Sequence, residues 1–144
     1  MKRIAAVALV AVATVAALPV SAPAAPNVLR VTPRRVDFGT KPAGTTTFKT
    51  VTVTNTSSET IILDIDVVKD WDDFGTGVEG TTCTFSDQPL APGESCDVVV
   101  RFTPSLGGGF EGLKQDQILL ATATDPLTGE VLDSVRIVFI GRAK

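Results

Sequence analysis

Cys83 and Cys96 bracket one turn, and the stretch they open constrains this chain more than any other. From Cys96 to Thr103 the residues alternate as a half-buried strand does. Cys96, Val98, Val100 and Phe102 share one face; Asp97, Arg101 and Thr103 share the other, with Val99 the exception. Pro104 stops the ladder, because it has no backbone N–H to give. Ahead of the strand, Leu90-Ala91-Pro92-Gly93 reads as a turn: Pro92 presets its φ and Gly93 tolerates φ > 0. A hairpin around that turn would bring the two cysteines within bonding distance.

The N-terminus sets the compartment in which such a bond forms. Met1-Lys2-Arg3 is a short positive region, Ile4 to Leu18 is uncharged and apolar, and Pro19 ends it. Ala22-Pro23-Ala24 then supplies a small-x-small cleavage site, completing the pattern of a secretory signal peptide over residues 1–24. An uncleaved anchor would need about 20 apolar residues, more than this run has. No cysteine follows the cut to carry a lipid, and the mature chain holds no membrane-spanning run. Export with an even cysteine count predicts a Cys83–Cys96 disulfide. In the chain-entropy model a loop of this size contributes about 3 kcal/mol. Two cysteines and no histidine cannot fill a tetrahedral zinc site.

Losing Lys2 and Arg3 leaves 11 basic residues against 16 acidic ones, a mature net charge of −5. Such a module has no electrostatic footprint for nucleic acid or an anionic membrane. About 120 mature residues suffice for one core.

Along the mature chain, the first strand runs from Asn27 to Gly39 and is broken at Pro33, which belongs at a sheet edge. Thr47 to Asn55 is the second strand, with Val51 and Val53 inward and Phe48 out of register, which predicts a bulge or a capping contact. Thr60 to Val68 alternates most clearly: Ile61, Leu63, Ile65 and Val67 share one face, Asp64 and Asp66 the other. Residues 69–82 read as a polar loop around Trp71 and Phe74, followed by a short strand near Cys83 to Ser86. Ser105 to Gly112 is a Gly-rich loop. Gln115 to Thr124 is a strand whose face is ambiguous, because Ile118 and Leu120 compete with Leu119 and Ala121. Val131 to Gly141 closes the chain with Val135, Ile137 and Phe139 inward. About seven short strands and no helical period predict an all-β, immunoglobulin-like β-sandwich over residues 25–144.

These pieces, in order, resemble a family. Val31-Thr32-Pro33 before Val36-Asp37-Phe38-Gly39, then Val51-Thr52-Val53-Thr54-Asn55-Thr56, resemble the opening strands of choice-of-anchor D or ASH (abnormal-spindle and hydin) domains. These are relatives of major-sperm-protein and pilus-chaperone sandwiches. Phe74, Cys83, Leu90-Ala91-Pro92-Gly93, Cys96 and Val100-Arg101-Phe102-Thr103-Pro104 resemble the family's most recognisable block, and Val138-Phe139-Ile140-Gly141 its last strand. The stretch from Gly107 to Gln117 departs from the pattern in length and glycine content. The resemblance implies the fold and a tendency to bind proteins, and no single activity.

Candidate sites are sparse. Asp70, Asp72 and Asp73 crowd one loop, with Asp64 and Asp66 upstream. Calcium takes several oxygens, yet an EF-hand reading from Asp70 fails at Phe74 and Thr81, and a solvated acidic rim is the plainer account. With no histidine, the usual general base and the Ser–His and Cys–His pairs are all missing, and Gly93-Glu94-Ser95-Cys96 is not a nucleophile elbow. The glycines at 107–109 lack the Lys-Ser/Thr of a phosphate loop. Asn55-Thr56-Ser57 fits a glycosylation acceptor, but also a turn asparagine. Trp71, flanked by Asp72 and Asp73, is the candidate partner contact, against a role capping the core.

The sequence therefore predicts a non-catalytic structural or protein-interaction module without cofactor or metal. It would be secreted, periplasmic or held in the cell envelope, where it binds a protein or envelope component. The alternative is a carbohydrate-binding or adhesin-like domain using the Trp71 loop. Intact-mass analysis of the exported protein is expected to give a chain beginning at Ala25; a product that keeps residues 1–24 would refute the cleavage.

Overall fold

A computed structural model describes residues 27–70, 72–105 and 112–144. The expected leader over residues 1–24, Trp71 and the glycines at 107–109 lie outside the described residues. The described residues form nine strands and no helix: β1 (Leu29–Thr32), β2 (Arg35–Lys41), β3 (Thr47–Asn55), β4 (Ile61–Lys69), β5 (Phe74–Thr76), β6 (Gln88–Leu90), β7 (Ser95–Phe102), β8 (Lys114–Thr124) and β9 (Val131–Ala143). Among the described residues no helix is long and apolar enough to cross a membrane. One sheet has the order β1-β3-β7-β5 and the other β2-β9-β8-β4-β6. All pairings are antiparallel except β2 with β9.

The expected first strand is two strands in different sheets. β1 pairs with β3, whereas β2 lies parallel to β9 on the opposite layer. Pro33 sits at the crossing, after a cis Thr32–Pro33 peptide. Lacking an N–H, it ends the first ladder, and the chain steps across the sandwich rather than resuming beside β3. Both halves are edge strands, as a Pro-interrupted run requires.

The region around the cysteines also differs from the expected hairpin. The strand predicted at Cys83 to Ser86 is instead β6, which pairs with β4 and not with β7. The Pro92-Gly93 turn thus carries the chain from one sheet to the other. Gly93 takes φ 77°, and Glu94 N–H donates to the Ala91 carbonyl. The disulfide forms all the same, with Cα atoms 4.9 Å apart. Thr82 and Cys83 lie along the start of β7, where both N–H groups donate to the Asp97 carbonyl.

Two further readings change. The polar loop from Lys69 contains β5, and Phe74 is a core residue there. Three residues are too few to show alternation. Phe48 needs no bulge, because the β3–β7 register runs unbroken from Thr47 to Thr54 and Phe48 simply faces solvent. Val67, at a register shift in β4, is also exposed, unlike the other members of its face. On β8 the ambiguity resolves to Gln115, Gln117, Leu119, Ala121 and Ala123 inward.

The core is dominated by an aromatic cluster. Phe102 is fully buried, with ring centroids 4.7 Å from Phe74 and 5.4 Å from Phe38. Phe139 completes the group. On the facing sheet the Phe102 ring lies against Gly141, where a Cβ would come within 2.4 Å of the ring. Gly141→Ala is therefore expected to destabilise by about 1–3 kcal/mol, the cost of overpacking. Phe102→Ala is expected to cost about 3–5 kcal/mol through a cavity. In the Phe102→Ala background the Gly141→Ala cost should largely vanish, as contacting positions are non-additive. Equal costs in both backgrounds, by denaturant melts, would remove Phe102 as the cause.

Candidate functional site

The loop favoured from sequence divides when its residues are placed. Asp72 is exposed. Asp73 is only 7 % exposed; its Oδ1 accepts Ser105 N–H at 3.0 Å, and its carbonyl accepts Thr103 N–H at 2.8 Å. It ties the loop to the end of β7 and turns its carboxylate away from solvent. Asp70 accepts a bond from Gln117 Nε2 at 2.7 Å. Asp64 accepts Asp87 N–H at 2.8 Å. The acids thus serve separate backbone and side-chain donors, and among the described residues no three are placed to share a metal ion. Asn55 is fully buried, with Nδ2 donating to the carbonyls of Glu59 and Leu90 and Oδ1 accepting from Ser57. Its amide is used up in the turn and is not open to glycan attachment in the folded chain.

A different set of residues comes together on the outer face of the larger sheet. Arg35, Asp37, Gly39 and Thr40 from β2, Ile140 and Arg142 from β9, and Lys114 from β8 line a shallow open depression of about 170 Å³. Ile140 forms its floor and is 3 % exposed, while the three cations around it are exposed. The register explains the arrangement. Arg35 pairs with Val138, Asp37 with Ile140, and Thr40 with Arg142, while Lys114 stands directly opposite Arg142. Between Asp37 and Thr40 the β2 register shifts, with Gly39 at φ 71°. A positive φ favours glycine, and the turn lets Asp37 Oδ1 accept Gly39 N–H at 2.7 Å.

Among the described residues the groove carries an excess of positive charge, three cations against the one carboxylate of Asp37. Asp37 is held by the Gly39 amide, and Asp116, which pairs with Ile140 from the β8 side, forms its ion pair with Lys69. Among the described residues no ion pair is made by Arg35, Lys114 or Arg142. Like charges directly opposite on neighbouring strands destabilise a sheet. Lys114 facing Arg142 is therefore a cost to the fold in a chain that is acidic as a whole. Chemically, the site can attract an anion to the exposed heads of Arg35, Lys114 and Arg142. Sequence reading missed it because its members are spread over positions 35 to 142, and only the register sets them side by side. The visible signal was limited to Arg34-Arg35 and to Arg142 and Lys144 near the end of the chain.

A scan of the chain against protein-family models finds no match, and a search of the curated proteins finds none. Solved structures match in fold. An ASH/PapD-like domain of human CEP192 superposes with a TM-score of 0.65 at 11% identity, covering 91% of this chain and 94% of that one. The E. coli chaperone DraB matches with a TM-score of 0.52 at 15% identity, covering 80% of this chain and 54% of the chaperone. The Vibrio cholerae VesB protease matches with a TM-score of 0.58 at 19% identity, covering 81% of this chain and 32% of the protease. This chain thus spans about half of the chaperone and a third of the protease. At such identities the likeness shows the fold alone: an immunoglobulin-like β-sandwich.

The cross-strand repulsion is open to direct measurement. Lys114→Glu is expected to stabilise the domain by about 0.2–1 kcal/mol by converting a like-charge pair to an opposite one. The denaturant midpoint should rise with an unchanged slope. A midpoint that falls would mean that Lys114 already has a compensating partner.

Proposed function

We propose that this chain is an exported, non-catalytic protein-interaction module of the choice-of-anchor D or ASH type. Its mature domain is residues 25–144, released from the 1–24 leader into the periplasm, the envelope or the extracellular space. The observation that carries the reading is where the polar chemistry lies. The interior between the sheets is filled by Phe102, Phe139, Leu63 and their neighbours, and the groove is a shallow recess on the outside. A packed sandwich offers little room for a substrate, whereas a charged groove beside an edge strand suits a partner surface. β2, which lines the groove, is the longest of the four edge strands, and an edge carries unpaired N–H and C=O groups.

Two features support export. The N-terminal segment has the three parts of a signal peptide, and the Cys83–Cys96 bond belongs to oxidising compartments. The likeness to the DraB chaperone and to an ASH/PapD-like domain supports protein binding as the type of role, by analogy of fold. Trp71 and Asp72 remain contact candidates separate from the groove lining, while Asp73 acts on its own loop.

The test is affinity capture from the native extracellular and envelope fractions with wild type, Trp71→Ala and Arg35→Glu. A discrete protein retained by wild type, and at least tenfold depleted by one variant with an unchanged melting temperature, is the expected result. Turnover of a substrate by the purified domain, or binding to polysaccharide alone, would overturn the reading.

A further inference from the structure

The hairpin joining β8 to β9 ends in a turn that the core does not explain. Asp125 Oδ1 accepts the N–H groups of Leu127 and Thr128 at 2.7 and 2.9 Å, and Gly129 N–H donates to the Asp125 carbonyl. Those same backbone donors, Thr128 first and Leu127 second, hold the Asp125 carboxyl below its usual range, so it stays charged. The turn is thus pre-shaped, and it presents Leu127 at 94 % exposure, the most exposed large apolar side chain described. Val131 and Leu132 beside it are also exposed. Asp125, Glu130 and Asp133 are the charges of this tip, with no Lys or Arg between Ala123 and Ser134. Asp133 Oδ2 accepts the N–H groups of Val28 and Leu29, while Asp125 and Glu130 lie closer to Leu127 in the chain and flank it.

The groove has the opposite character: among the described residues that line it, three cations stand against one carboxylate, Asp37. The depression is shallow and open, and Ile140 beneath it is nearly covered, so its apolar surface comes from the side chains around it. The aliphatic stems of arginine and lysine add apolar wall beneath their charged heads. We propose that the tip of one molecule docks in the groove of a second copy. Leu127 rests against the aliphatic stems of those cations, and Asp125 and Glu130 meet the charged heads of Arg35, Lys114 and Arg142.

Geometry makes the contact intermolecular. Lys114 opposite Arg142 closes one end of the β8–β9 pair, and Thr124 opposite Val131 closes the other. At about 3.4 Å per residue the two ends are roughly 30 Å apart along a paired ribbon, so a molecule cannot reach its own groove. A tip that fits a groove elsewhere on an identical molecule makes a heterologous contact, which repeats head to tail. The contact is small, well under the roughly 800 Å² per partner of a standard interface, so it forms weakly and serves where copies are concentrated. This deepens the interaction reading by naming one partner, and its failure leaves capture of other proteins standing.

The experiment is sedimentation of the mature chain up to about 1 mM, a Kd range that corresponds to weak association. Average mass should rise with concentration at low salt and fall back at about 1 M salt, where the screening length is ~3 Å. Leu127→Ser/Glu130→Lys removes the tip, and Arg142→Glu with Lys114→Glu removes the groove. Each variant alone should stay monomeric, with association at least tenfold weaker than wild type. Mixed together, the groove of the first meets the tip of the second, and the mixture should form a one-to-one dimer that grows no further. A wild type monomeric throughout, association retained by both variants, or a mixture that stays monomeric would each overturn the proposal.

Discussion

The packing of Phe102 on Gly141 sets the distance between the two layers. Phe102 comes from β7 in the smaller sheet, and Gly141 from β9 in the larger one. Because residue 141 has no side chain, the ring reaches the opposing backbone and fills the space there. Phe38, Phe74 and Phe139 then close around it. Four rings in edge-on and tilted contact bury a large apolar area and add orientation-dependent attraction. The strands that supply them, β2, β5, β7 and β9, come from both sheets, so the cluster joins the layers rather than one hairpin.

A second tie lies at the other end of β7. The chain reaches β7 from β6 by crossing between sheets, so no ladder joins the two across the Pro92-Gly93 turn. Asn55 binds that crossing from within: its Nδ2 donates to the Leu90 carbonyl, and its backbone bonds Gly93 and Glu94. The disulfide anchors the preceding loop to the same strand start. Aromatic cluster and disulfide thus hold β7 at its two ends. The surface is then free to depart from what stability alone would choose, as it does at Lys114 and Arg142, where repulsion is tolerated. Proteins commonly break a local rule of this kind at functional positions.

Much of this was legible in one dimension because a strand buried on one face repeats every two residues. Period two placed Ile61, Leu63 and Ile65, Val98, Val100 and Phe102, and Val135, Ile137 and Phe139 inward without reference to neighbours. The same signal failed at β5 and β6, three residues each, and on β8. There Gln115 and Gln117 hold inward positions while Ile118 and Leu120 lie on the outer face. Both glutamine Oε1 atoms are buried without a partner among the described residues, which a hydropathy pattern has no means to anticipate.

What the sequence determined by itself is local: strand faces, the Pro-Gly turn, the cysteine pairing left by a count of two, and an immunoglobulin-like class. Each follows from the chemistry of residues a few positions apart. Only the tertiary structure decided which sheet each strand joins. It sent β1 and β2 to opposite layers at Pro33, set β6 beside β4, and laid β2 parallel to β9. Those choices rest on register between distant segments, which is settled by the common core and has no local signature. For that reason Arg35, Lys114 and Arg142, far apart in the chain, become one site only in the fold.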